Sequence, residues 1–225
     1  MTVPPAPAPS SVGISTRQLR DVALRALRAR GVPYGPASDA AAGVERMEVV
    51  AQCGLSALVA VLGREPATPA FTVSADAAGQ PAVPADASGV LLAPPVRDLL
   101  AAVPQELVFL ALHEPWMLAP ALADHGRRTA RTLRLQWDGP SGPGSCVVAG
   151  GRLHLDGRLA AAPVPWRGRL EFTDEVKEPP AGPGLGGDEE AALLTAARRS
   201  GLAVAAADWE LAVASARRFL VEDLP

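Results

Sequence analysis

"GVERMEVVAQCGLSALVAVL", residues 43–62, decides how the first half of this chain folds. Val44, Met47, Ala51, Leu55, Leu58 and Leu62 recur every three or four positions, the repeat of a helix that buries one stripe. The spacing predicts a helix from about residue 36 to 62, with Pro36 suited to its first turn. Ala37, Ala40 and Ala41 leave room for a neighbouring helix to come close. Gly54 inside the stripe costs about 1 kcal/mol relative to alanine unless something packs tightly there. A crossing helix is the simpler source of that contact, and a bound ligand is the other.

Upstream, "STRQ" at residues 15–18 has the spacing of a capping box, and Leu19, Val22, Ala23, Ala26 and Leu27 follow at helical intervals. Gly31 and Pro33 stop that helix after Arg30. The opening "MTVPPAPAPSSVG" lacks the basic and apolar regions of a secretory leader, and reads as an extended Pro/Ala arm over residues 1–13. Residues 14–225 are expected to form one domain, with a Gly/Pro-rich linker near 177–187.

Downstream, residues 63–89 read as a loop carrying one short strand, "AFTVSA". "GVLLAPPVRDLLAAV" suggests a buried segment and a short helix divided by its proline pair. "ELVFLAL" is a strand. "ARTLRLQW" alternates Leu133, Leu135 and Trp137 against polar neighbours, so one face should be buried. "SCVVAGG", "RLHLDGRLA" and "GRLEFTDEV" would continue as an antiparallel meander, turning at "GGR" and "DGR". Two helices end the chain. Asp188 suits an N-cap, with Glu189 and Glu190 in the first turn and Arg198 and Arg199 in the last. Asp208 would cap the final helix, with Trp209, Ala212, Val213, Ala216 and Leu220 facing inward. The expected fold class is α+β: helical N- and C-terminal elements packed on a small, mainly antiparallel sheet.

The formal charge of -3 gives no footprint for nucleic acid. Glu45, Arg46, Glu48, Gln52 and Gly54 interrupt the most apolar window, so no membrane span is expected. Cys53 and Cys146, far apart and without CxxC spacing, suggest reduced, buried thiols in a cytoplasmic protein. Trp116, Trp137, Trp166 and Trp209 suit core and rim packing. "GPGLGG" at 182–187 precedes a helix but follows a poor strand, which favours a linker over a phosphate loop.

His113 beside Glu114 could exchange a proton if the pair lay in a cleft; a histidine ending a strand is the plainer reading. His125 sits where a cationic ring would complement a helix C-terminus. His154 alternates with leucines and should face solvent. No spacing supports a metal site, and no cofactor is expected from motifs. Arg127, Arg128, Arg131 and Arg134 could hold an anionic ligand or an acidic partner, or simply form a solvated face.

"ISTRQLRDVALRALRARGVPYGPASDAAAGVERMEVVAQCGLSAL" resembles the N-terminal region of the malate/L-lactate dehydrogenase family, the NAD(P)-dependent type without a Rossmann fold. Gly31, Val32 and Pro33 match that family's turn. Gly54 and Ser56 match the region of its Ser-His-Gly motif. Ala57 stands where the family has its catalytic histidine, and Leu58 replaces the glycine. The resemblance therefore implies the scaffold without the group that moves the proton. The chain also resembles DUF3726, a family of uncharacterised bacterial proteins. That likeness rests on the same helices, on Leu91, Leu92, Ala93 and Pro94, and on Gly201, Val204, Trp209, Leu211 and Ala216; it implies no activity.

Three readings stay open. One is an accessory or non-catalytic protein that assembles with itself or a protein partner. Another is an NAD(P)-dependent oxidoreductase of a small 2-oxo or 2-hydroxy acid, using His113, Glu114 and an arginine from the cluster. The third is a small-molecule binding module. Gly54 and Ser56 are ligand-binding candidates under the last two.

Overall fold

The computed structural model describes residues 10–64, 74–75, 81–83, 87–102, 107–139, 142–157, 159, 165–173 and 184–222. The first helix, α1 (Thr16–Ala29), carries the expected capping box: Gln18 N–H donates to Ser15 Oγ at 3.1 Å, and Ser15 N–H donates to Gln18 Oε1 at 2.8 Å. Before it, Ser11–Ile14 (β1) pairs antiparallel with Leu202–Ala205 (β10). Ser11 to Gly13 are therefore strand rather than arm, a pairing that no local pattern reveals because its partner is nearly two hundred residues away.

The long second helix divides. The first part, α2 (Tyr34–Ala51), ends at Gln52, whose φ of 52° is left-handed, and α3 (Gly54–Gly63) starts two residues later. The apolar repeat runs through the break because both helices bury their faces in the same core: Val44, Met47, Leu55 and Leu58 are each within 2% of complete burial. Periodicity therefore concealed the turn. Ala37, Ala40 and Ala41 are buried where α2 meets its neighbours, as their size predicts.

The proline pair does not interrupt the next helix, α4 (Gly89–Ala102); Pro94 and Pro95 lie inside it. Ser88 Oγ accepts from Val90 N–H, and Val90, Leu92, Val96 and Leu100 bury one side. Packing carries the helix across two missing N–H groups.

The main sheet runs β2 (Ser74–Ala75), β3 (Pro81–Val83), β5 (Leu107–His113), β9 (Trp166–Thr173), β6 (Thr132–Asp138), β7 (Gly144–Ala149), β8 (Arg152–Asp156), and β4 (Ala87–Ser88) also pairs with β5. Strands β3 and β4 run parallel to β5, and the other pairs are antiparallel. The meander holds for β6, β7 and β8, but β9 crosses back to fill the place between β5 and β6. Gly150 and Gly151 turn β7 into β8 with φ of 55° and 75°.

One face of this sheet packs on α5 (Ala119–Thr129), where a Cβ at Gly126 would overlap Val148 of β7. Leu133, Leu135, Cys146, Val148 and Leu170 line that face. Trp116, on the 3-10 turn Pro115–Leu118, meets Trp166 edge-on at 5.6 Å and Trp137 at 6.3 Å, an interior aromatic cluster. Helix α1 packs on α2 and on α7 (Ala206–Glu222), and α6 (Gly187–Ser200) lies on α2. Gly186, not Asp188, is the N-cap of α6, with Glu189 reaching back to its N–H at 2.7 Å. Helix α7 begins at Ala206, placing Asp208 in its first turn. The architecture is α+β.

Candidate functional site

The α2–α3 junction holds the residues of the dehydrogenase-like motif. A Cβ at Gly54 would overlap the Val44 carbonyl and lie 2.7 Å from Glu48 N, so glycine is required by helix-on-helix contact. Glu48 Oε2 accepts from Leu55 N–H at 2.8 Å, capping α3 in place of a ligand. Burial raises the Glu48 carboxyl above its ordinary range, with the Leu55 and Gly54 amides opposing that rise. Ser56 Oγ donates to the Cys53 carbonyl at 3.1 Å. Ala57 is wholly buried among core side chains. Burial, and secondarily Glu48, pushes the Cys53 thiol up to about 12, and burial does the same to Cys146. Both cysteines are free and buried, as their spacing suggested.

Glu114 follows β5 in a left-handed conformation, φ 47°, with no exposed surface. Arg64 grips its carboxylate with two hydrogen bonds, at 2.8 and 2.6 Å, and Ser88 Oγ donates to it at 2.9 Å. Arg64 lies at the C-cap of α3, so this pair ties α3 to the end of β5 and the start of α4. His113 is 3% exposed and stands opposite Ser88 across the sheet. The structure thus places His113 and Glu114 together in the interior, with the carboxylate engaged by Arg64.

The four arginines of the 127–134 cluster do not converge. Arg127 pairs with Glu190 at 2.7 Å and donates to the Gly151 carbonyl. Arg46 of α2 also grips Glu190 and bonds Asp124 at 3.0 Å, so Glu190 joins α2, α5 and α6. Burial alone would raise the Glu190 carboxyl, but Arg46 and Arg127 pull it below the ordinary carboxylate range. Arg134 lies on the other face of the sheet, between Glu171 and Val147 in neighbouring strands.

Arg128 and Arg131 do come together. They join His125, Thr129, Arg97, Asp98 and Leu100 around a groove of about 510 Å³ between α4 and α5. Arg97 bonds Asp39 at 3.0 Å and approaches Asp98. His125 is 6% exposed, and burial, then Arg128 and Arg131, hold its ring below the ordinary histidine range. These surroundings oppose the cationic ring expected at a helix end. Arg97 and Asp98 were missed in the sequence because they lie some thirty residues before the cluster, on another helix. His154 is half-buried against Gly184 rather than fully solvated.

The described part of the glycine-rich stretch is tied down by its own chain. Leu185 bridges to Leu153 through both backbone groups, and Arg152 bonds Glu189 and the Gly184 carbonyl. Glu189 takes the place at the α6 N-terminus that a phosphate would need. Among the described residues, no group of three or more His, Cys, Asp or Glu is placed to hold a metal, and no helix is long and apolar enough to cross a membrane.

No protein-family model matches the chain, and no curated protein sequence does. Solved structures are similar. A dehydrogenase from Sinorhizobium meliloti superposes with a TM-score of 0.60 at 14% identity, over 92% of this chain and 100% of that one. Malate dehydrogenase from Pyrococcus horikoshii OT3 gives 0.62 at 9% identity, over 95% and 98%. Sulfolactate dehydrogenase from Methanocaldococcus jannaschii gives 0.59 at 9%, over 94% and 99%. At these identities the likeness is one of fold: the chain has the scaffold of malate- and lactate-type dehydrogenases.

Proposed function

We propose that this protein uses the malate/lactate dehydrogenase scaffold without its histidine-based reaction, as an accessory or non-catalytic cytoplasmic protein that assembles with itself or a protein partner. The observation that carries the reading is Ala57, wholly buried where the resembling family places its proton-transferring histidine. An alanine has no proton to exchange, and Ala57 has no exposed surface among the described residues. The other groups that could serve are committed elsewhere: Glu114 to Arg64 and Ser88, Arg127 to Glu190. In the described part of the glycine-rich stretch Glu189 accepts from Gly186 N–H at the start of α6, which speaks against a pyrophosphate bound there. The DUF3726 likeness, which brings no activity, is compatible with this reading.

The test is titration of the intact protein with NADH and NADPH, followed by nicotinamide fluorescence and thermal shift together. The fluorescence reports the nicotinamide ring itself, so contact through phosphate groups alone does not count. Absence of a saturable fluorescence change supports the reading. Saturation at micromolar cofactor overturns it in favour of a remodelled oxidoreductase.

A further inference from the structure

Helix α6 is held to the body of the molecule along a narrow edge. Eleven of its 14 residues are exposed; only Glu190 and Ala197 are buried, with Leu194 half-buried between them. Its chief anchor is ionic, the grip of Arg46 and Arg127 on Glu190. A helix of this length gains most of its stability in a protein from packing an apolar face. Yet Leu193 stands 43% exposed, and Ala192 and Ala196 are exposed as well. We propose that this outward face is where a second copy of the chain docks, the two α6 helices lying antiparallel across a two-fold axis. The inference deepens the self-assembly reading above and rests on it.

The occupant follows from the order of the charges. Asp188, Ala192, Thr195 and Arg199 succeed one another at steps of four, three and four residues, one stripe on the side away from Glu190 and Ala197. The stripe is acidic at one end, small in the middle and basic at the other. Neither Asp188 nor Arg199 makes an ion pair among the described residues. They lie about 16 Å apart along the axis, too far to pair within one helix. Turning a second α6 end for end about a point between Leu193 and Leu194 sets Asp188 of each copy against Arg199 of the other. A two-fold contact requires that self-complementarity, since each copy offers the same patch. The small side chains let the backbones approach, and the two Leu193 side chains meet on one flank and leave water. A single helix pair is a small interface, so micromolar association is expected.

The experiment is sedimentation of the full chain from about 1 to 500 μM, with substitutions confined to exposed positions of α6. A reversible dimer with Kd below about 200 μM is expected. Leu193→Glu, Asp188→Arg and Arg199→Asp should each weaken it at least about tenfold, and Arg198→Glu, off the stripe, by less than about threefold. The double variant, Asp188→Arg with Arg199→Asp, should return to within about threefold of the native affinity. That recovery separates docking from helix stability. An acidic first turn and a basic last turn also suit the helix dipole, and the double reversal opposes the dipole at both ends. The proposal is overturned if the chain stays monomeric throughout, if the dimer survives Leu193→Glu and Asp188→Arg, or if the double variant is no tighter than the single ones. A monomer would leave assembly to a different protein, whereas a dimer indifferent to these changes would keep self-assembly and move it to another face. None of these outcomes moves nicotinamide fluorescence, the readout on which the non-catalytic reading stands.

Discussion

The α2–α3 junction and the α4–α5 groove are both places where two helices meet, and they have been put to opposite use. At the junction the backbone of one helix touches the other through Gly54, and Ala57 behind it is sealed in apolar packing. At the groove the helices part, and charged side chains line the space. The first holds the residues of the dehydrogenase-like motif; the second holds none of them. Tight packing and open charge thus sit side by side in one fold because they are carried by different residues.

The difference breaks most readily at Gly54. Gly54→Val forces a branched side chain into the Val44 carbonyl and the Glu48 amide, and backbone cannot retreat without parting the helices. A loss of about 3 kcal/mol or more in urea unfolding is expected, at the upper end for overpacked cores. A loss below about 1 kcal/mol would mean that the two helices do not meet so closely.

Ala57→His comes next. The ring must enter a position with no exposed surface, at a cost of about 2 kcal/mol. The folded variant should show no oxidation of NADH or NADPH with 2-oxo acids, because restoring one group does not reopen the space around it. Measurable turnover by this single variant would overturn the non-catalytic reading.

These two positions also show what sequence could and could not reveal. The apolar stripe of residues 44–62, the alternation of Leu133, Leu135 and Trp137, and the box at Ser15–Gln18 are local, and local signals predicted helix, buried sheet face and cap correctly. The break at Gln52 escaped because a stripe records only which side chains are buried, and both α2 and α3 bury theirs in one core. Pro94 and Pro95 misled for the converse reason: a local rule was overridden by burial of Val90, Val96 and Leu100. Of the arginine cluster only Arg128 and Arg131 belong to a common groove, since a helix end and a strand send successive arginines in different directions. Glu190 as the joint of three helices was not legible at all; its partners Arg46 and Arg127 are distant in sequence.

That joint gives an intermediate effect. Glu190→Gln keeps the shape and loses the charge, leaving Arg46 and Arg127 without their shared carboxylate. A loss of about 1–2 kcal/mol at pH 7 is expected. The pH dependence has a definite sign. Because the folded carboxyl lies below its unfolded value, the contribution is complete above that value and is lost as pH falls through the folded one. Native and Glu190→Gln proteins should therefore converge in stability on the acid side. Glu48, raised by burial, acts oppositely and opposes folding as pH rises through its folded value. Glu48→Gln, whose amide oxygen can still accept from Leu55, should spare the protein that loss.

The smallest effect on stability belongs to the groove. Arg128→Ala removes an exposed side chain with no ion pair among the described residues, so unfolding at pH 7 should change by no more than about 0.5 kcal/mol. Its consequence is electrostatic. His125 is lowered first by burial and then by Arg128 and Arg131, so removing one guanidinium should raise its titration midpoint, observable in the ring resonances. The sign extends to stability: a histidine lowered in the folded state costs stability as pH falls through its unfolded value, and Arg128→Ala should lessen that cost between about pH 5 and 7. A midpoint that stays in place would separate Arg128 from His125 and break the groove into unrelated surface charges. A raised midpoint with unchanged stability at pH 7 would sharpen the contrast with the junction, where a smaller change in side-chain size is expected to cost the fold most.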